Sequence, residues 1–127
     1  MNIVLASSSP RRKKILSRLG IPFTVDFENI KEPPYNKKFS PSKYCEKLSL
    51  IKALSISKKY KDTLIIGADT IVVLDGNVLG KPHDKKEAYT TLKSLSGKVH
   101  EVITGVTVTY NEKIHVFHNK TTVQFFE

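Results

Sequence analysis

Ser7-Ser8-Ser9-Pro10-Arg11-Arg12 packs three hydroxyls and two guanidinium groups into one short run. It follows the apolar stretch Asn2-Ile3-Val4-Leu5-Ala6, and Ser9 before Pro10 is the pattern of an N-cap and a first helical residue. A helix start offers unpaired N–H groups and the positive end of the helix dipole, so it favours a phosphate. Arginine at that end is ordinarily unfavourable, and two of them there make sense when an anion sits between. Their forked donors suit phosphate oxygens. The same residues also suffice for a capped helix with basic side chains in water, and residue types alone leave both readings open. Neither a Walker A loop nor a dinucleotide glycine pattern is present.

A second candidate is Gly67-Ala68-Asp69-Thr70, placed after a buried strand that ends at Ile66. Ligands of open α/β sheets bind beyond the carboxyl ends of strands. There Asp69 could hold a divalent cation or take a proton from an attacking water. Equally, it could be a turn-forming aspartate that caps local N–H groups. Leu79-Gly80-Lys81-Pro82 offers close backbone approach and a point charge, or simply a basic turn. Lys52 flanks the buried stripe of a helix, as an anion ligand or as a surface lysine whose stem covers apolar neighbours. Asp26, Glu28, Glu32 and Asp62 are further carboxylates, and the loop position of Glu32 suits it best to reach a metal. His83, His100, His115 and His118 lack zinc-ligand spacing. Cys45 has no evident His or Asn partner and reads as a small buried residue. Three anion-attracting turns and one strand-end carboxylate point to a phosphorylated ligand with a divalent cation. They do not fix a reaction.

The elements that must position these residues alternate between strand and helix. Asn2–Ala6 is expected as a strand, then a helix from Pro10 with Ile15, Leu16 and Leu19 inward, stopped by Gly20. Ile21–Phe27 is expected as a second strand and the proline-bearing stretch Glu28–Ser42 as a functional loop. Ser42–Lys59 is the clearest helix, with Tyr44, Leu48, Ile51 and Leu54 or Ser55 on its buried face. Leu64–Ala68 and Ile71–Leu74 read as extended, with a turn at Asp75-Gly76. Asp84 can cap a helix to Leu95 with Ala88, Leu92 and Leu95 inward, ended by Ser96-Gly97. Val99–Tyr110 and Lys113–Phe126 alternate as a hairpin around a three-residue loop, Asn111 to Lys113. The fold class is α/β, a mixed and mostly parallel sheet with flanking helices and an antiparallel hairpin. Thr121–Phe126 is strand-like sequence with no helix following it, which would leave an apolar edge.

The chain has 127 residues, 39% hydrophobic, with 21 Lys+Arg against 12 Asp+Glu and a formal net charge of +9. That suits one soluble domain able to build a core without disulfides. A single cysteine points to a reducing, cytoplasmic compartment. No apolar run reaches the roughly 20 residues of a membrane span, and the start lacks a secretory pattern. The charge attracts polyanions: nucleic acid, an anionic membrane face or a phosphorylated small molecule. Scattered lysine pairs and the lack of an aromatic-studded basic strand or a recognition helix place a nucleic-acid module last among these.

Taken together, Leu5-Ala6-Ser7-Ser8-Ser9-Pro10-Arg11-Arg12, the Leu48…Lys52-Ala53 helix, Gly67-Ala68-Asp69-Thr70, Leu79-Gly80-Lys81-Pro82, and Leu95-Ser96-Gly97-Lys98-Val99-His100 with Thr104-Gly105 resemble the Maf family of nucleoside triphosphate pyrophosphatases. The resemblance implies a Maf/ITPase-like fold and hydrolysis of the α–β phosphoanhydride with Mg²⁺ or Mn²⁺. It implies Asp69 as proton acceptor, Arg11 and Thr70 as influences on substrate choice, Ser7, Arg12, Lys52 and Lys81 around the phosphates, and Glu32 beside Asp69 at the metal. Ser-Pro-Arg-Arg with Gly-Ala-Asp-Thr resembles the branch acting on dTTP and UTP, with removal of modified pyrimidine nucleotides as the implied role. The family's Asp-Lys-Ala-Gly-Ala-Tyr-Gly-Ile-Gln-Gly type segment has no counterpart, so residues 1–127 are expected to be a single Maf-like domain lacking its C-terminal part. The expected partner is the nucleoside triphosphate, with no membrane and no nucleic acid, and with association as a homodimer left open. The alternative in another class is a remnant that binds nucleotide or a partner without turnover.

Overall fold

The computed structural model describes residues 2–79 and 84–124. Lys81, the rest of the Gly80–His83 turn and the Phe125-Phe126 edge lie outside the described residues. Among the described residues six strands form one sheet in the order β2-β1-β3-β5-β6, with β4 against β3. Strand β1, Asn2–Ala6, is the expected apolar run. Helix α1, Pro10–Ser17, starts where Ser9 accepts a hydrogen bond from the Arg12 N–H. Strand β2 is only Thr24–Val25, shorter than expected; Pro22, just before it, has no N–H to give to a ladder. Helix α2 runs Pro41–Ser57.

Strand β3 is a single element, Thr63–Leu74, which joins the two expected extended segments through Asp69 and Thr70. Its pairing explains why. Over Thr63 to Gly67 it lies parallel to β1, and over Leu64 to Val73 its other edge lies antiparallel to β5, Val99–Tyr110. The long antiparallel ladder holds Asp69-Thr70 in extended conformation. Asp75 and Gly76, both at positive φ, then turn the chain into β4, Asn77–Leu79. Helix α3, Lys85–Leu95, has Asp84 as its N-cap. Strand β6, Lys113–Gln124, pairs along the whole of β5. Tyr110 pairs with Lys113, so the hairpin loop has two residues, not three. The sheet is mixed as expected, but only the two ladders of β1 are parallel, while the three others are antiparallel.

Strands β2 and β3 flank β1 on opposite sides. Right-handed crossovers in opposite directions put α1 and α2 on opposite faces of the sheet. One face is closed by α2, where Val4, Ala6 and Ile65 pack with Ala53 and Ile56, and Ile71, Val73 and Ile103 pack with Cys45 and Leu48. The buried stripe of α2 is therefore Cys45, Leu48, Ser49, Ala53 and Ile56, rotated from the expected one. Leu54 faces solvent and Ile51 is half-buried. The expected inward stripes of the other helices are not covered: Ile15 on α1 is 54% exposed, Leu19 falls in the turn past that helix and is 65% exposed, and Leu92 is 58% exposed on α3, where only Leu95 is buried.

Two glycines set how closely α2 approaches the sheet. A Cβ at Gly67 would lie 2.6 Å from the Ser49 carbonyl oxygen and 2.8 Å from the Ala53 nitrogen, and one at Gly105 would lie 2.5 Å from the Cys45 carbonyl oxygen. These are backbone atoms of α2, which cannot give way singly. Gly67→Ala is therefore expected to destabilise the fold by roughly 1–3 kcal/mol, the usual scale of overpacking, seen as a lower urea midpoint at unchanged slope. An unchanged midpoint would mean that α2 is not seated this tightly.

Candidate active site

Because β1 stops at Ala6 while β3 continues past its partner Gly67, a notch opens at the carboxyl end of β1. Helices lie on opposite faces of the sheet at this strand, the arrangement that makes a binding crevice in open α/β sheets. Asp69 and Thr70 sit in that notch. They are placed beyond the end of β1, not beyond the end of β3 as the sequence suggested. A cavity of about 380 Å³ adjoins the notch, lined by Ser7, Ser8, Ser9, Arg12 and Lys52 together with Glu28 and Glu32 of the long loop; Asp69 and Thr70 reach it through their bonds to Lys52 and Arg12.

Successive strand residues point to opposite faces, so Asp69 turns toward α2 and Thr70 away from it. Asp69 is only 3% exposed. Lys52 stands on the buried side of α2 and donates to Asp69 Oδ1 at 2.5 Å, while its ammonium lies 3.3 Å from Glu32 Oε1. One cation thus joins two carboxylates from distant parts of the chain. On the other face Arg12 donates through Nη2 to Thr70 Oγ1 at 2.8 Å and through Nη1 to Ser7 Oγ at 3.4 Å. Ser7 Oγ also accepts from the Ser9 N–H at 3.1 Å, which fixes the turn into α1. Arg11 is exposed and takes no part in this network.

The loop that carries Glu28 and Glu32 is fastened at intervals to α2 and to the residues that follow it. Tyr60 donates to Asp26 at 2.6 Å, and Lys59 pairs with Glu28 at 2.7 Å and with Asp26 at 3.5 Å. The Tyr60 hydroxyl holds the Asp26 carboxyl below its ordinary range. Beyond Glu32, the Tyr44 hydroxyl donates to the Pro33 carbonyl at 2.7 Å. Burial first, then the nearby charges of Glu32 and Asp69, raise the Tyr44 hydroxyl's pKa, so it stays a neutral donor. This is how a loop without regular structure presents carboxylates at a defined place.

Cys45 is the small buried residue expected, and it does more than fill space. Its thiol donates to the Asp69 carbonyl at 3.2 Å and accepts from the Gly105 N–H at 3.1 Å. Burial pushes the thiol up to about 11. At neutral pH it should resist a thiol reagent in the folded protein and react on unfolding, because the thiolate is the nucleophile. Prompt labelling of native protein would contradict this. The link through Cys45 was not legible in the sequence, nor was the register that sets Thr104 opposite Thr70, with their hydroxyl oxygens 3.1 Å apart.

Of the eight residues singled out, the structure gathers Ser7, Arg12, Glu32, Lys52, Asp69 and Thr70 around one notch, leaves Arg11 at its outer side, and does not describe Lys81. The arrangement offers hydroxyls, a helix start and two cations to an anion, with two carboxylates beside them.

Residues 2–127 match the family model described as Maf-like protein. The chain belongs to the Maf-like family. This Maf-like chain is 48% identical over 128 residues to a protein named dTTP/UTP pyrophosphatase from Ruminiclostridium cellulolyticum, covering 99% of the chain and 66% of that relative. It is 50% identical over 109 residues to one of the same name from Thermoanaerobacter sp. strain X514, covering 85% of the chain and 56% of the relative. The Maf-like chain thus spans somewhat under two thirds of the length of these relatives. Its fold resembles that of the Staphylococcus aureus Ham1 protein, with a TM-score of 0.68 at 12% identity over 98% of the chain and 71% of that structure. Among the described residues no helix is long and apolar enough to cross a membrane.

Proposed function

We propose that the notch at the end of β1 is the active site of a nucleoside triphosphate pyrophosphatase that cleaves dTTP and UTP, and modified pyrimidine relatives, to the monophosphate and pyrophosphate. The observation that carries this is the convergence of Arg12, Lys52, Ser7 and the start of α1 on one cavity, with the buried carboxylate of Asp69 bonded to the lining Lys52. The names of the relatives supply the substrate class.

In this reading the N–H groups at the start of α1 and the Ser7 to Ser9 hydroxyls receive phosphate oxygens. Arg12, already oriented by Ser7 and Thr70, adds forked donors. Asp69 accepts a proton from the water that attacks the α-phosphorus. It lies at hydrogen-bond distance from Lys52, which pairs with the buried carboxylate and can turn toward the leaving pyrophosphate. Ordered donors of this kind, held before charge develops, lower the barrier most. Arg11 and Thr70 remain the positions for substrate choice, and Lys81 a further phosphate ligand.

Asp69 and Glu32 also suit a divalent cation. Their carboxylates already converge on one positive group, and Mg²⁺ commonly takes only one or two protein carboxylates, with phosphates and waters completing its shell. Among the described residues no third His, Cys, Asp or Glu joins them. When bound, Mg²⁺ or Mn²⁺ would neutralise phosphate charge and polarise the scissile linkage. A reducing, cytoplasmic compartment fits the single buried thiol.

The test is pyrophosphate release over a panel of purine and pyrimidine triphosphates with Mg²⁺ or Mn²⁺. Turnover of dTTP and UTP ahead of the purine nucleotides is the expected result. Binding of triphosphates without turnover would instead identify a nucleotide-binding remnant, and neither binding nor turnover would overturn the site itself.

A further inference from the structure

We propose that Thr104, on β5, is a positioning residue that holds Arg12 in its phosphate-binding orientation by way of Thr70. The inference rests on reading the notch as a triphosphate site. Arg12 can only donate, and its Nη2 gives one hydrogen bond to Thr70 Oγ1 at 2.8 Å. Thr70 then needs its hydroxyl hydrogen directed somewhere that does not compete with that bond. The Thr104 hydroxyl oxygen, 3.1 Å away across the β3–β5 register, is the partner the structure provides.

Direction follows from charge. A guanidinium pressing a proton on the Thr70 oxygen makes that hydroxyl a better donor, so the cooperative order is Arg12 to Thr70 to Thr104. In that order Thr70 keeps its oxygen lone pairs toward Arg12, and Thr104 fixes the Thr70 rotamer. Both threonines lie on long strands paired to each other through ten residue pairs, a rigid support of the kind that locks a side chain near a functional group. Two of the five Arg12 N–H donors are thereby committed, to Thr70 and Ser7, which leaves the remainder of the fork for a ligand.

The test is binding of UTP in its α,β-methylene form, whose bridge cannot be hydrolysed, with Mg²⁺, measured by calorimetry on the wild type, Thr104→Val, Thr104→Ser and Arg12→Ala, and on Arg12→Ala combined with Thr104→Val. Valine keeps the shape and removes the acceptor, so affinity is expected to fall about fivefold, the scale of one hydrogen bond. Serine restores the hydroxyl and should recover most of the loss. In the Arg12→Ala background the valine should have no further effect, because residues acting through one another are not additive. Thr104→Ala serves the same purpose should the valine variant fail to fold. Wild-type affinity in Thr104→Val, or an undiminished valine effect without Arg12, would overturn the positioning role. Absence of UTP binding to the wild-type chain would overturn the triphosphate reading and this inference with it. Binding by the wild type with no response to Thr104 would overturn this inference alone.

Discussion

Asp69→Asn is expected to reduce pyrophosphate release from dTTP or UTP by roughly 10²- to 10⁴-fold, the usual contribution of a positioned general base. Asparagine has nearly the same shape, and its amide oxygen can still accept from Lys52. The fold should therefore survive, and triphosphate affinity measured without a divalent cation should stay near that of the wild type, since the phosphate ligands are on other residues. A large loss in turnover with little change in affinity separates a proton acceptor from a structural carboxylate. Comparable losses in turnover and in stability would mean that Asp69 matters mainly as a partner for Lys52. Unchanged turnover would remove it from the chemistry altogether.

Lys52→Met is expected to destabilise the fold through charge, where Gly67→Ala acts through packing. It leaves the Asp69 carboxylate, 3% exposed, with no cation beside it. Removing one partner of a buried ion pair commonly costs about 3–5 kcal/mol. The Lys52 side chain retains 18% of its exposure, so water offsets part of that penalty and about 2 kcal/mol is expected. Urea unfolding at neutral pH measures it. Adding Asp69→Asn to Lys52→Met removes the orphaned charge and should recover most of the loss, even though activity would not return. A double variant no more stable than Lys52→Met would show that the single loss came from packing of the lysine stem.

Much of this site could be read from residue types, for a physical reason. Capping and phosphate binding are local: Ser9, Pro10 and the arginines carry their information within one turn of helix, and Asp84 and Gly97 likewise mark the limits of α3. Asp69 was recognisable as a carboxylate next to a buried strand, but its place was misjudged. Whether a strand continues past Ala68 depends on its partners, and the β5 ladder that carries β3 through Asp69 is formed by residues more than thirty positions away. The buried face of α2 was misjudged for a related reason. Gly67 and Gly105 admit the backbone of α2 against the sheet, so Cys45, Ser49 and Ala53 turn inward while Leu54 does not. Small residues give no hydrophobic signal even where packing is closest. The stripe of α1 shows the converse, since Ile15 and Leu19 read as core and remain exposed with no described element over them. Local apolar spacing states what a helix can bury, while the neighbours decide what it does bury.

The link from Tyr44 to Pro33 and those from Lys59 to Asp26 and Glu28 were equally hidden. Each joins the loop to α2 or to the turn just past it by a long side chain whose direction the sequence does not specify. Their effect is on the site all the same, because they bring Glu32 to within reach of the Lys52 ammonium. Glu32 had been favoured only for lying in a loop; its partner is what gives it a place.

Which bond is broken is reported directly by phosphorus NMR of the products. The chain incubated with UTP and Mg²⁺ or Mn²⁺ should yield UMP and pyrophosphate in equal amounts, with no UDP, and the yield should collapse in Asp69→Asn. Appearance of UDP with inorganic phosphate, or UTP left intact although it binds, would contradict the assignment of the notch as a site of α–β cleavage.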